Sequence, residues 1–382
     1  MRRFVFVCLF GATLCGPTAC REKQSDKTPS HSDIIGPPLL DKTAEQLTQT
    51  EFTAYLDHPV TPGKNLIWCA TMPLVWNELM DLAGGEIHLA EGDPPIVTEL
   101  NKKTVTRSDL DDSSYVALAG LTPGILDSIP KALQLKFKGQ ASPELLSQIP
   151  QDLPENSAVS YSYLFKNLEF EHRFEKLEYG SRFGSIKVNG FGFRAGRSKQ
   201  PLLQDAAAQV SVHDYKNNDD FIVEIATRSM GDRLVLAKVH PGSTLVQTIA
   251  IVRERVARPP GTVPEDEVPM EIPILDFRLI KDYEELIGKH IHCPNPSLDG
   301  YPIEMVKQLI RFKLNEEGAK LKSEAVVDVT SAERIGVPPP QLIFDKPFLI
   351  LMERKGAANP YFALWVDNPE LLVPFTPEKA KQ

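Results

Sequence analysis

Cysteine is scarce in this chain. Five cysteines occur in 382 residues, and Cys8, Cys15 and Cys20 crowd into the N-terminus. Only Cys69 and Cys293 remain for the folded part, so one disulfide is the upper limit and a disulfide-stapled scaffold is excluded. Cys69 lies in an apolar stretch, where a buried free thiol is expected. Excess positive charge is missing too. The net charge of −9 argues against a nucleic-acid partner, which needs a basic face. There is no internal repeat, no G-x-S-x-G elbow and no H-E-x-x-H pair. The glycines of "VNGFGFRAG" at 190, 192 and 196 lack dinucleotide-binding spacing. "HIHC" brings His290, His292 and Cys293 together, but a structural zinc site wants a second ligand pair, and none is evident. His88, His172, His213 and His240 are scattered, so a catalytic triad could be assembled only in space. The sequence therefore points to no enzyme, no cofactor and no metal.

What is present begins at the N-terminus. Arg2 and Arg3 precede the apolar run "FVFVCLFGATL", and "CGPTAC" follows. A basic start, a short apolar run and small residues make an export signal over residues 1–20. The run is too short to span a bilayer. The ending Thr18-Ala19-Cys20 resembles a bacterial lipoprotein cleavage site, with Pro17 where Leu is usual. Cys20 is thus either the lipid acceptor of an anchored protein or the end of a removed signal in a secreted one. Residues 21–42 begin polar and aperiodic and are expected as a flexible tether.

The remainder has ordinary globular composition, 42% hydrophobic and 24% charged, with 32 prolines that imply many loops and sheet edges. Residues 43–59 carry Leu47, Phe52 and Leu56 on a helical stripe. Residues 65–85, "NLIWCATMPLVWNELMDLAGG", read as one core helix stopped by glycine. "SYVALAG" reads as a strand, and residues 122–137 as a helix interrupted near Pro130. "NSAVSYSYLFKNLEF" is aromatic and β-branched, hence a strand, and more strands follow it. Residues 242–256 suggest a helix capped by Ser243, and residues 281–288 a short helix ending at Gly288. Helices early and strands later give an α+β class with large sheets.

The last hundred residues are the most informative. Phe312 and Leu314 alternate with Arg311 and Lys313, so a strand runs into "NEEG" (Asn315, Glu316, Glu317, Gly318). Beyond it Ala319, Leu321, Ser323 and Ala325 share one face, while Lys320, Lys322 and Glu324 share the other. Pro338, Pro339 and Pro340 then hold the chain extended. Two dense apolar runs, "PFLILM" and "YFALWV", flank a Gly- and Pro-bearing connection. They read as a hairpin buried on both faces.

The order strand, "NEEG", long loop, "PPP", "FDKPFLILM", "YFALWVDNP" resembles the C-terminal third of a serpin. "NLIWCATMPLVWNELMDLAGGE", "SAVSYSYLFKNLEFEHRF" and "MEIPILDFRLIKDYEELIG" resemble earlier elements of that family in the same order, over roughly residues 60–369. The resemblance implies one domain over residues 43–375. Its fold would be α+β, with N-terminal helices packed on a large mixed or antiparallel sheet, further sheets, and a buried C-terminal hairpin. It also implies action by protein contact in the serine-type peptidase inhibitor class. A peptidase would cleave an exposed loop, which then inserts into the main sheet and traps the enzyme. The hinge would be Glu316, Glu317, Gly318 and Ala319, and the reactive loop residues 319–337. Its bait bond would be Arg334–Ile335, suited to a trypsin-like enzyme, or Ala332–Glu333 by count from the hinge.

Three departures bear on this mechanism. The run of small residues usual after the hinge glycine is replaced by "AKLKSEAVV". The family's Asn-Ala after the central strand's apolar start gives way to Ser160-Tyr161-Ser162. The chain between Phe137 and Asn156 is short, which implies that the helix overlying the main sheet is absent. Two alternatives stay open. One is a non-inhibitory surface binding or structural protein with the loop permanently paired as a strand. The other is an exported enzyme whose site forms only in space.

Overall fold

A computed structural model describes residues 29–150, 153–193, 201–258, 268–320 and 340–376. The chain opens with α1 (His31–Ile35), capped by Ser30, and β1 (Leu40–Thr43). Residues 29–42, expected as tether, are thus structured in the protein. Ile35 and His31 are buried, and the apolar surface they cover outweighs the polar sequence around them. β2 (Thr50–Thr53) follows where a helix was expected. It lies parallel to β3 (Asn65–Cys69), and that pairing overrides the helical stripe. β3 is also the first part of the expected core helix. Only α2 (Thr71–Ala83) is helical there, closed by Gly84 in the left-handed region at φ 76°.

β4 (His88–Leu89), α3 (Pro95–Asn101) and β5 (Tyr115–Leu121) lead to α4 (Gly124–Phe137), which runs straight through Pro130. α4 buries Ile125, Ile129, Leu133 and Phe137 against β5 and against β6 (Ala158–Leu164). α4 lies before the short 137–156 interval, and among the described residues of that interval the only helical element is a 3-10 turn at Glu144–Gln148. β7 (Asn167–Glu169) continues β6 after a break.

β8 (Glu175–Lys176), β9 (Ser181–Phe183), β10 (Ile186–Val188) and β11 (Gly190–Phe193) are short. α5 (Pro201–Ala208) precedes the meander of β12 (Val210–Asn217), β13 (Asp220–Ile225) and β14 (Asp232–Lys238). α6 (Leu245–Val256) is capped by the side chain of Thr244 rather than by Ser243. β15 (Met270–Pro273) and β16 (Leu275–Asp282) are followed by turns, not a helix, at residues 284–288. β17 (Ile291–His292), β18 (Lys307–Asn315), β19 (Gly318–Lys320) and β20 (Leu342–Ile343) precede the final hairpin of β21 (Phe348–Arg354) and β22 (Phe362–Val366).

Two sheets dominate. One has the order β1-β16-β18-β19-β7 and is called the main sheet below. The other is seven-stranded, β12-β13-β14-β21-β22-β3-β2. The final hairpin occupies the middle of the second sheet, and its residues 348–353 and 362–366 are all buried. One face of it packs on the main sheet, where Phe362 of β22 stacks on Phe312 of β18 at 4.6 Å. Aromatic contacts of this kind add to the burial of the rings. The last hairpin therefore joins the two sheets into one core. The domain cannot be completed until it is made.

Candidate functional site

The segment expected as a hinge is a turn and a short strand in the main sheet. β18 ends at Asn315, Glu316 and Glu317 form the turn, and β19 returns between β18 and β7. It is antiparallel to both: Ala319 faces Leu314 on one side and Leu168 on the other. All three side chains are fully buried. Gly318 is required by close approach, because a Cβ there would lie 2.3 Å from the Leu168 carbonyl oxygen.

The turn is clamped from the side. Phe170 and Phe174 donate backbone N–H bonds to the carbonyls of Glu317 and Glu316. The Glu316 carboxylate is buried and accepts a bond from Arg173 at 2.7 Å, with Lys176 at 3.4 Å. That bond raises the Arg173 guanidinium above its ordinary pKa. Lys313, beside the hinge on the outer face, is fully buried, and its ammonium reaches Asp276 only at 3.9 Å. Burial pulls it down to about 8, with Asp276 opposing the shift.

β19 ends at Lys320, and below it the sheet is split. Among the described residues no strand joins β6 to the first half of β18. β6 pairs only with β5. The gap opens into a cavity of about 1110 Å³. Tyr161, Tyr163 and Leu164 line it from β6, and Gln308, Ile310 and Arg311 from β18. Its floor is α2. There Ser160 and Ser162 donate to the carbonyls of Val75 and Thr71, and Gln308 donates to the Thr71 hydroxyl and the Cys69 carbonyl. The Ser160-Tyr161-Ser162 departure thus ties β6 to the first turns of α2. Cys69 is a buried free thiol as expected, and Cys293 is likewise unpaired. Burial raises both thiols, which leaves them poor nucleophiles.

The expected hinge residues Glu316, Glu317, Gly318 and Ala319 come together as one turn and strand. Arg334, Ile335, Ala332 and Glu333 lie outside the described residues, as do Cys20 and the rest of the 1–20 segment. Four of the histidines hydrogen-bond to carboxylates: His88 with Asp93, His213 with Glu224, His290 with Glu91 and His292 with Asp299. Among the described residues no hydrogen bond joins their other ring nitrogens to a hydroxyl or thiol. Sequence reasoning missed the clamp of Arg173 and Lys176, since nothing local marks a cation 140 positions away as a hinge partner. It missed the open slot as well. No described helix is long and apolar enough to cross a membrane.

No protein-family model matches the chain, and no curated protein matches it in sequence. Solved structures do resemble it. Thyroxine-binding globulin in complex with thyroxine is 12% identical, over 81% of this chain and 94% of that one, with a TM-score of 0.45. A serpin from the trematode Schistosoma haematobium is 12% identical, over 80% and 94%, at 0.44. Human thyroxine-binding globulin is 12% identical, over 81% and 93%, at 0.43. The order of the chain's own elements defines its class. It has a serpin-like α+β fold, with the short strand β19 between β18 and β7 of the main sheet and a C-terminal hairpin at the centre of the second.

Proposed function

We propose that this is an exported protein of the serine-type peptidase inhibitor class, acting by protein contact through a reactive loop at residues 319–337. One observation carries the reading: β19 already enters the main sheet at its top, directly above an open slot between β6 and β18. Continued in the same register, Leu321 would face Phe312. Ser323 would face Ile310 and Leu164, and Ala325 would face Gln308 and Ser162. The inward positions are thus small or apolar, which a strand entering a packed interior requires. The peptidase serine Oγ would attack the Arg334 carbonyl. The Arg334–Ile335 bond would break, Ile335 nitrogen would take the proton and leave, and an ester would hold the enzyme as the loop inserts. Ala332–Glu333 is the alternative bond.

Residues 1–20 are proposed as the export signal, with Cys20 as lipid acceptor or, failing lipidation, release of a secreted protein. A second reading keeps the fold without inhibition. It is favoured by Lys322, which the same register would set beside Arg311, so that two cations share the covered face of the sheet.

The test is incubation of the mature chain with a panel of serine peptidases, read on a denaturing gel. A covalent band at the summed mass, with a released peptide beginning at Ile335 or Glu333, is the expected result. Clean cleavage without that band would reject trapping. Full resistance of residues 319–337 would establish the permanently paired loop.

A further inference from the structure

We infer that residues 30–43 form a strap that ties the two halves of the split sheet together and sets how far the slot can open. Its near end is docked on the β6 side. The His31 ring stacks on Phe165 at 3.5 Å, meets Phe137 edge-on at 5.1 Å, and shares a hydrogen bond with the Tyr163 hydroxyl at 2.8 Å. The His31 backbone N–H donates to the Gln140 carbonyl just beyond α4. The far end belongs to the other half. β1 pairs in parallel with β16, and Asp41 binds Arg278 at 2.8 Å. Between them the strap crosses the slot on its outer face. The Pro37 carbonyl accepts from Arg311 at 3.4 Å, and the Leu39 N–H donates to Asp276 at 3.5 Å.

These ties differ in kind from the rest of the sheet. Among the described residues, no strand hydrogen bond joins β6 to β18. The strap is therefore a direct link across the gap at this level, alongside residues of 142–150 and Leu153 and Pro154 that line the cavity. It also covers an incompletely bonded patch. Among the described residues, Arg311 Nε, Lys313 Nζ and Asp276 Oδ2 are buried with no hydrogen-bond partner. Each such group carries a desolvation penalty that water would relieve. Lifting the strap would lose the His31 stack and the β1 ladder, but it would hydrate these groups. The opposing terms leave the strap poised rather than fixed.

The consequence for loop entry rests on the inhibitor reading, and the strap's bracing role does not. The experiment is amide hydrogen exchange on the full mature chain and two variants. His31→Asp places a charge in the aromatic dock, and Asp41→Lys opposes Arg278 at the other end. Exchange at least tenfold faster in β6 and the first half of β18, in either variant, is the expected result. Unchanged exchange there in both variants would overturn the inference. The same samples are then nicked in the candidate loop and followed by thermal melting. Faster exchange with no gain in melting temperature after nicking would keep the strap and reject insertion. A gain whose rate is equal in all three proteins would keep insertion and remove the strap's control over it.

Discussion

At Gly318 an added Cβ would collide with backbone, not with a side chain that could swing aside: Leu168 O lies at 2.3 Å and Glu169 Cα at 2.9 Å. Gly318→Val should therefore expel β19 from between β18 and β7. A cost of about 1–3 kcal/mol is expected by analogy with overpacked cores. Denaturant unfolding would show the loss, and exchange at residues 167–169 would show its location. An equally stable variant with those amides still protected would contradict the close-approach argument.

His31 offers a different residue-scale test. Burial among Tyr163 of β6, Phe165 just beyond it, Phe137 of α4 and the Gln140 carbonyl lowers it from 6.5 to about 4. The carboxylate of Glu144 acts on the neighbouring Tyr163. The folded pKa is depressed, so the neutral ring is the form that docks. Its contribution is fully present above pH 6.5 and is lost as pH falls from there toward 4, by about 3 kcal/mol at most. Strap protection, followed by exchange in β1, should fall over that window. In His31→Phe, which keeps a ring but cannot titrate, it should stay flat.

At the scale of elements, alternation and length serve well where an element meets one neighbour and poorly where it meets several. The final hairpin was legible because both of its runs are apolar on both faces, which only a central position in a packed sheet accommodates. The turn at Glu316 and Glu317 was legible because period-two alternation on either side of "NEEG" leaves only a turn between. Residues 43–59 misled, since Leu47 and Leu56 are buried but from a strand and its flanks. Their partner is β3, whose sequence lies beyond the local window. β3 itself was hidden inside a continuous apolar run with α2, where period alone cannot separate strand from buried helix. The hairpin carries its own test. Trp365 is fully buried at the centre of the second sheet, and Trp365→Ala should cost about 3–5 kcal/mol. Loss of cooperative unfolding, or a shift of that size in denaturant, is expected. A shift under about 1 kcal/mol would mean that the hairpin is not the joint between the sheets.

For the whole molecule, the sequence by itself determined the class, the turn at Glu316 and Glu317, the buried C-terminal hairpin and the scarcity of disulfide chemistry. These follow from local periodicity, turn residues and composition, which act over a few residues and leave a readable mark. Only the tertiary structure decided that α4 overlies β5 and β6, that Arg173 and Lys176 hold Glu316, that β6 and β18 stand apart above α2, and that residues 30–43 cross that gap. Each of these joins segments far apart in the chain. They depend on how apolar faces and buried charges are satisfied in space, and nothing in the adjacent sequence records which distant partner satisfies them.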